Sequence, residues 1–333
     1  VAVSAAAAAE TAPEEARPRI LAIKLGALGD VVQALGPLAA IRRHHAGAHV
    51  VVLTSPAFAE FLRASPYADE VWSDPRPHKL NLPGLLGLRA RLRGGRFARV
   101  YDLQTSDRSA LYFRLMGPGR RPEWSGIAAG CSHPHANPAR DSMHTIDRQR
   151  EQLAMAGIAD VPAPDLAWTV ADVARFKLPG SYALLVPGGS AGRPAKRWPV
   201  AKYGALAGEL IAHGITPVLI GGPDEKGLGE AIRAVAPRSR DLIGKTEFAD
   251  IAVLARAAGA AIGNDTGPMH LVAASGCPSV VLFSAVSDPK LCAPRGADVA
   301  VLRRDSLAGL GVDEVLRLLF ARDGRIAKKT GRP

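Results

Sequence analysis

Cysteine is scarce in this chain: three residues out of 333, at positions 131, 277 and 292, with no CxxC pair. An odd, scattered set excludes a disulfide framework and a zinc knuckle, and it predicts a reducing compartment. Aromatic residues make up only 5% of the chain, so bases would find few stacking surfaces, and no nucleic-acid recognition motif is present. The stretch from Met269 to Ser287 lies within the longest run free of Lys, Arg, Asp and Glu, and Gly276-Cys277-Pro278 divides it into a helix and a strand rather than a membrane span. The alanine-rich start carries no basic segment and is interrupted by Glu10, Glu14 and Glu15, so it predicts a flexible tail rather than a secretory signal. Also missing are GxGxxG, DxD and a Walker A loop: the IGKT at 243–246 would need glycine at 239, where Ser239 stands.

The chain is long enough for about two domains of roughly 150 residues each, and its 47% hydrophobic content supplies their cores. Basic residues number 42 against 31 acidic ones, a net charge of +11 that favours acidic partners. Between Arg76 and Arg121 eleven Lys or Arg face two Asp. That excess reads either as a solvated surface or as a docking face for an anionic polymer or lipid head group.

Short β-branched runs alternate with helix-length segments from residue 20 onward, the pattern of parallel sheets covered by helices. Strands are expected at 20–24, 50–53, 70–72 and 99–103, a helix over 31–45, and another over 144–156. Weak periodicity and prolines at 162, 164 and 179 place an interdomain connection between Gly157 and Gly180. A second series follows, with strands at 182–186, 216–220, 241–243, 260–263, 279–283 and 299–302, and helices at 201–213, 224–236, 249–258, 268–274 and 312–321. The expected organisation is a tail over 1–18, an α/β domain over 19–165, a second over 178–321 and a basic tail over 322–333. Two doubly wound domains would turn the carboxyl ends of their strands toward one cleft.

Four strand-to-helix junctions carry candidate chemistry. KLGALGD, Lys24 to Asp30, brings a carboxylate to the start of a helix, where helix capping accounts for Asp30 as readily as catalysis. VPGGSAGRPAKRWP, Val186 to Pro199, is rich in glycine and cations; the N–H groups of Gly188 to Ser190, with Lys196 and Arg197, suit a diphosphate, and Pro199 suits the first helical turn. GNDTGPMHLVAASG, Gly263 to Gly276, sets Asp265 and Thr266 at an expected N-cap. The N–H groups of Thr266, Gly267 and Met269 would then point at an anion, with His270 beside them. VLIGGPDEK, Val218 to Lys226, offers Asp224 and Glu225 to ribose hydroxyls or adenine, or simply to the helix dipole.

Taken in order, Leu28-Gly29-Asp30, Ala195 to Pro199 (AKRWP) and Asn264 to His270 (NDTGPMH) resemble the glycosyltransferase family 9 heptosyltransferases, over about Ile20 to Phe320. The resemblance implies an α/β GT-B fold of two Rossmann-like domains and an inverting, metal-independent transfer of heptose from ADP-heptose to Kdo or heptose of the lipopolysaccharide core. It implies no cofactor, and a cytoplasmic enzyme working at the inner-membrane surface on an anionic lipid A-core acceptor. Carried over residue by residue, Asp30 is the general base. Ser190, Lys196, Arg197, Asp265, Thr266, Gly267 and His270 form the donor site, Glu225 or Asp224 holds the ribose, and Arg63, Arg108, Arg120 and Arg121 meet the acceptor. The stretch from Gly188 to Arg193 is more glycine-rich than the acidic or aromatic loop expected of enterobacterial members. A transferase using another nucleotide sugar, a sugar-nucleotide 2-epimerase of GT-B architecture, a nucleotide-sugar or lipid binding protein and a nicotinamide oxidoreductase remain the competing readings.

Overall fold

A computed structural model of the chain describes residues 17–321, apart from 75, 79, 120 and 191. The expected N-terminal tail up to residue 16, the basic tail over 322–333 and Arg120 therefore lie outside the described residues. The first unit runs β1 (Arg19–Ile23), α1 (Leu28–Gln33), α2 (Leu35–His44), β2 (His49–Thr54), α3 (Pro56–Arg63), β3 (Glu70–Ser73), α4 (Leu82–Gly94), β4 (Phe97–Asp102), α5 (Asp107–Met116), β5 (Glu123–Gly126), β6 (His133–Pro134) and α6 (Thr145–Met155). The second runs β7 (Tyr182–Val186), α7 (Val200–Ala212), β8 (Thr216–Leu219), α8 (Lys226–Val235), β9 (Arg240–Asp241), α9 (Phe248–Ala257), β10 (Ala260–Asn264), α10 (Gly267–Ala274), β11 (Ser279–Phe283), α11 (Pro289–Cys292), β12 (Val299–Arg303) and α12 (Val312–Ala321).

Each unit holds a six-stranded sheet, ordered β3-β2-β1-β4-β5-β6 and β12-β11-β10-β7-β8-β9, and the strand pairs run parallel. This is the doubly wound order of a Rossmann fold, twice, so the chain is an α/β protein of two Rossmann-like units, as the GT-B expectation requires. The order reverses between β1 and β4 and again between β7 and β10, so the loops leaving those strands open onto the natural ligand crevices. Central strands such as β7 and β11 are buried along their whole length because helices cover both faces.

Local differences from the sequence expectations have physical causes. The single helix expected over 31–45 is two, parted at Ala34, because Pro37 has no N–H for the Gln33 carbonyl and its ring crowds that carbonyl. Strands β5 and β6 leave no mark in the sequence pattern; at four and two residues they are too short for an alternation to be seen. The strand expected over 241–243 is Arg240–Asp241, and Pro199 is the N-cap of α7 rather than part of its first turn.

The two units touch directly. A continuous hydrophobic cluster includes Leu28, Val31 and Val32 of α1 together with Met269, Leu271 and Val272 of α10. Phe58 and Phe61 of α3 pack on Phe248 of α9, with ring centroids 6.0 and 5.7 Å apart. On another side, Arg295 forms a two-pronged ion pair with Asp147 of α6 at 2.6 and 2.5 Å.

Candidate active site

The loop from β1 to α1 delivers Asp30 as the third residue of a six-residue helix. Its Oδ2 accepts the Ala27 N–H at 3.1 Å, the capping role, while Oδ1 lies 4.0 Å from the Lys24 ammonium and the side chain is 44% exposed. Beside it opens a cavity of 310 Å³, lined by Lys24, Gln104, Arg140, Arg148, Gln149 and Gln152 among others. Lys24 is buried and donates to the Leu103 carbonyl at 3.1 Å; desolvation lowers its pKa, against the opposing pull of Asp30. Asp102, at the carboxyl end of β4, accepts the Gln104 and Thr105 N–H groups at 3.1 and 2.9 Å on one oxygen only, and burial raises its pKa to about 6. Arg140 donates to Thr105 Oγ1 at 2.6 Å and to Asp141 at 2.8 Å. Burial, then the neighbouring Arg140, lowers the pKa of Arg148.

In the second unit the loops are cross-tied. Asn264, the last residue of β10, donates to the Pro187 and Gly188 carbonyls at 2.8 and 3.0 Å and accepts from Trp198 N–H and Tyr203 OH at 2.9 and 3.2 Å. One buried amide thereby holds the start and end of the 187–199 loop to the strand that carries Asp265. Glu225 accepts the Gly189 N–H at 2.7 Å and the Gly222 N–H at 2.9 Å, joining that loop to the one after β8. The fit leaves no room for a side chain: a Cβ at Gly188 would lie 1.8 Å from the Glu225 carboxylate. Arg197 donates to the Gly189 carbonyl.

These bonds change several expected roles of single groups. The Gly189 N–H is committed to Glu225, so it does not stand free to cradle an anion. Asp265 is not the N-cap of α10; Thr266 is, and Asp265 precedes it in an ion pair with Lys196 while also accepting from Ser287 Oγ at 2.8 Å. The Met269 N–H is taken by the Thr266 carbonyl at 3.1 Å. Ser190 and Asp224 are exposed, and Thr266 and Gly267 are half-buried at the start of α10.

The two halves meet at His270. Its buried ring lies against the backbone of Gly29, where a Cβ would come within 2.7 Å of the imidazole Cδ2, and a Cβ at Gly267 would lie 2.7 Å from the Leu28 Cβ. Burial lowers the His270 pKa to about 4, with Asp265 and Asp30 pulling the other way and His144 and Lys196 adding to the fall. A neutral imidazole therefore stands between Asp30 of one unit and the Lys196–Asp265 pair of the other.

The basic residues expected at the acceptor separate. Arg108, at the second position of α5, is on the crevice side and donates through both terminal nitrogens to the Pro77 carbonyl at 3.2 Å. Arg63 ends α3, about 11 Å along the helix from the crevice edge at 1.5 Å per residue. Arg121 stacks over Phe113 at 4.8 Å and lines a hollow at the opposite, amino edge of the sheet. Neither Arg63 nor Arg121 lines the cavity beside Asp30, because Arg63 ends α3 and Arg121 leads into β5, both at the far edge of the sheet. Lys24, Arg140 and Arg148 line it instead. Lys24 was visible within KLGALGD, but Arg140 and Arg148 come from a stretch with no motif.

A family model described as glycosyltransferase family 9 (heptosyltransferase) matches residues 85–308. The chain belongs to that family. This transferase is 27% identical over 308 residues to lipopolysaccharide heptosyltransferase 2 of Escherichia coli strain K12, covering 86% of this chain and 88% of the relative. Its fold matches the solved E. coli ADP-heptose lipopolysaccharide heptosyltransferase II at a TM-score of 0.77 and 23% identity, covering 93% and 99% of the two chains. It also matches a family 9 glycosyl transferase of Veillonella parvula at a TM-score of 0.79 and 20% identity, covering 96% and 100%. Membership makes the chain a glycosyltransferase and sets aside the epimerase, oxidoreductase and binding-protein readings. No helix among the transferase's described residues is long and apolar enough to cross a membrane.

Proposed function

We propose that this transferase moves heptose from ADP-heptose to a Kdo or heptose of the lipopolysaccharide inner core, inverting the anomeric centre without a metal. The observation that carries the reading is the placement of Asp30 at a cation-lined cavity of 310 Å³, across the neutral His270 from the Lys196–Asp265 pair. Residues 19–165 would take the acceptor and residues 178–321 the donor.

In this reading Asp30 Oδ1 accepts the proton of the acceptor hydroxyl as its oxygen attacks the anomeric carbon. The carbon–oxygen bond to the diphosphate breaks on the opposite face, and ADP leaves with the electron pair. The Lys196 ammonium has three donors, one of which holds Asp265; the others serve the diphosphate, together with the first N–H groups of α10. Ser190 supports the diphosphate. Glu225 acts first by shaping the two glycine loops, and a free lone pair of its carboxylate, or Asp224, takes the ribose. Arg140, Arg148 and Lys24 bind the carboxylate or phosphate groups of an anionic acceptor. No cofactor takes part, and the chemistry is that of a cytoplasmic enzyme.

Calorimetric titration with ADP, UDP and GDP, repeated on Lys196→Ala, tests the donor. Selective ADP binding that weakens in the variant supports the reading; preference for UDP or GDP removes heptose as the sugar. Transfer that persists in excess chelator and yields the inverted anomer by NMR tests the mechanism.

A further inference from the structure

Among the exposed aliphatic side chains of the described residues, three leucines cluster next to the crevice. Leu80 is 84% exposed, Leu82 67% and Leu86 62%. Leu82 and Leu86 lie one turn apart on α4, and the same flank continues with Arg89 and Arg93, while Leu88 and Leu92 face the core. Single exposed leucines are ordinary, but Leu82 and Leu86 on one stripe of α4, with Leu80 in the turn just before it, form an apolar patch of the kind that marks a contact surface.

The arginine end of this flank leads to a hollow of 660 Å³ at the amino edge of the first sheet, floored by Leu92, Phe97 and Met116 and rimmed by Arg93, Arg96 and Arg121. Arg89 and Arg93 are steadied by bonds to the Leu115 and Pro118 carbonyls, both at 3.2 Å, and each spends there one of the five donors of its fork. The leucine end is tied to the reaction centre. Arg76 donates to the Leu25 carbonyl in the Asp30 loop at 2.8 Å, and Arg108 holds Pro77. The 76–121 segment, with eleven basic residues against two acidic ones, repels a second copy of itself and attracts phosphates.

We propose that this flank of α4, from Leu82 and Leu86 to Arg93 and the arginine-rimmed hollow, together with Leu80 in the turn before it, docks on a bilayer surface containing anionic phospholipid. The leucines enter the head-group and acyl boundary beside the crevice mouth, and the arginines meet lipid phosphates farther along. The surface then delivers a membrane-embedded acceptor to Asp30, a purpose that rests on the function proposed above.

The test is flotation with vesicles of phosphatidylethanolamine and phosphatidylglycerol against vesicles of phosphatidylcholine alone. It is run on the full chain and on the combined Leu80→Gln, Leu82→Gln, Leu86→Gln variant, whose changes lie in solvent and spare the core. The native chain is expected to float with the anionic vesicles and to be released by salt, and the variant to bind about tenfold more weakly or worse. Transfer to acceptor embedded in the vesicles falls with it, while transfer to acceptor stripped of its acyl chains is unchanged. Equal flotation of variant and native chain, or no flotation of either, overturns the proposal. So does a concentration-dependent dimer that the variant converts to monomer, which would give the face to a second copy. Salt-sensitive, leucine-dependent flotation of a chain that transfers to neither acceptor would support the docking surface and overturn the proposed function alone.

Discussion

The two halves of the site are built on opposite plans. On the side of the second sheet the polar groups of the loops are spent on one another: Asn264 makes four hydrogen bonds, Glu225 two, and Asp265 holds both Lys196 and Ser287. On the side of the first sheet they are left over. Both side-chain heteroatoms of Gln149, the Gln152 Oε1, the Arg140 Nε and the Asp102 Oδ2 are buried without a partner in and beside the Asp30 cavity. A buried polar atom without a partner costs about 1–3 kcal/mol, so a cavity lined with several favours an occupant that satisfies them. The second half keeps fewer such atoms at its site, chiefly the Arg197 Nε and the His270 Nδ1, so it is the more nearly finished frame and the first the larger set of unmet hydrogen bonds.

The sharpest way to separate the halves is Asp30→Asn. It should lower kcat by about 10²–10⁴-fold, the usual contribution of a general base, and leave ADP affinity unchanged, read by single-turnover transfer and by calorimetry. If ADP affinity fell instead, Asp30 would belong to the donor side. Asn264→Ala should do the reverse. With the Pro187 and Gly188 carbonyls and the Trp198 N–H orphaned, while the Tyr203 hydroxyl keeps the Val186 carbonyl, stability should drop by about 3 kcal/mol or more in denaturant unfolding, and ADP binding should weaken with the loosened loops.

The halves also respond to acid in opposite senses. His270, held near pKa 4 instead of 6.5, resists protonation only when folded. Its contribution is whole above about pH 6.5 and erodes as pH falls toward 4. Asp102, raised from 3.8 to about 6, keeps its proton more tightly when folded. Its contribution is whole below pH 3.8 and is lost as pH rises through 6. At about 1.4 kcal/mol per unit, each term is worth roughly 3 kcal/mol. His270→Gln should therefore flatten the acid loss of stability and Asp102→Asn should steepen it, as measured by unfolding midpoints between pH 4 and 7.

Lys196→Ala should weaken ADP by about 10- to 100-fold, the usual worth of a charge-assisted bond, with no change in the binding of acceptor fragments. The smallest effect is expected at the exposed bridge between the units. Arg295→Ala should cost no more than about 1 kcal/mol in the same unfolding assay, because water and salt screen it.

The second half is the more legible in sequence for the same reason that its loops are tied to one another. Its glycine-rich junctions are contiguous, so Lys196, Asp265 and Glu225 could be picked out by position, and the strands at 182–186 and 279–283 have the expected limits. What could not be read was the bonding: nothing in AKRWP or NDTGPMH says that Asn264 grips Trp198 across the sheet, since that depends on two loops meeting through folding. In the first half only Asp30 and Lys24 lie in a motif. Arg140 and Arg148 reach the cavity from a turn and a helix whose composition resembles any solvated surface, while Arg63 and Arg121 have the right charge on the wrong edge. Residue type gives chemistry, but the end of the strand from which a residue departs decides whether it reaches the crevice.

The pressed contacts of Gly29 on His270 and of Leu28 on Gly267 have a consequence for how such a chain changes over time. The two signature loops lie far apart in the chain and belong to different sheets, yet neither has space that the other does not define. A larger residue at 29 is tolerable only with a smaller one at 270, and a side chain at 267 only if 28 recedes. The loops should drift as a matched pair, and a chimera joining the first half of one relative to the second half of another should work only when its junction residues come from a single parent.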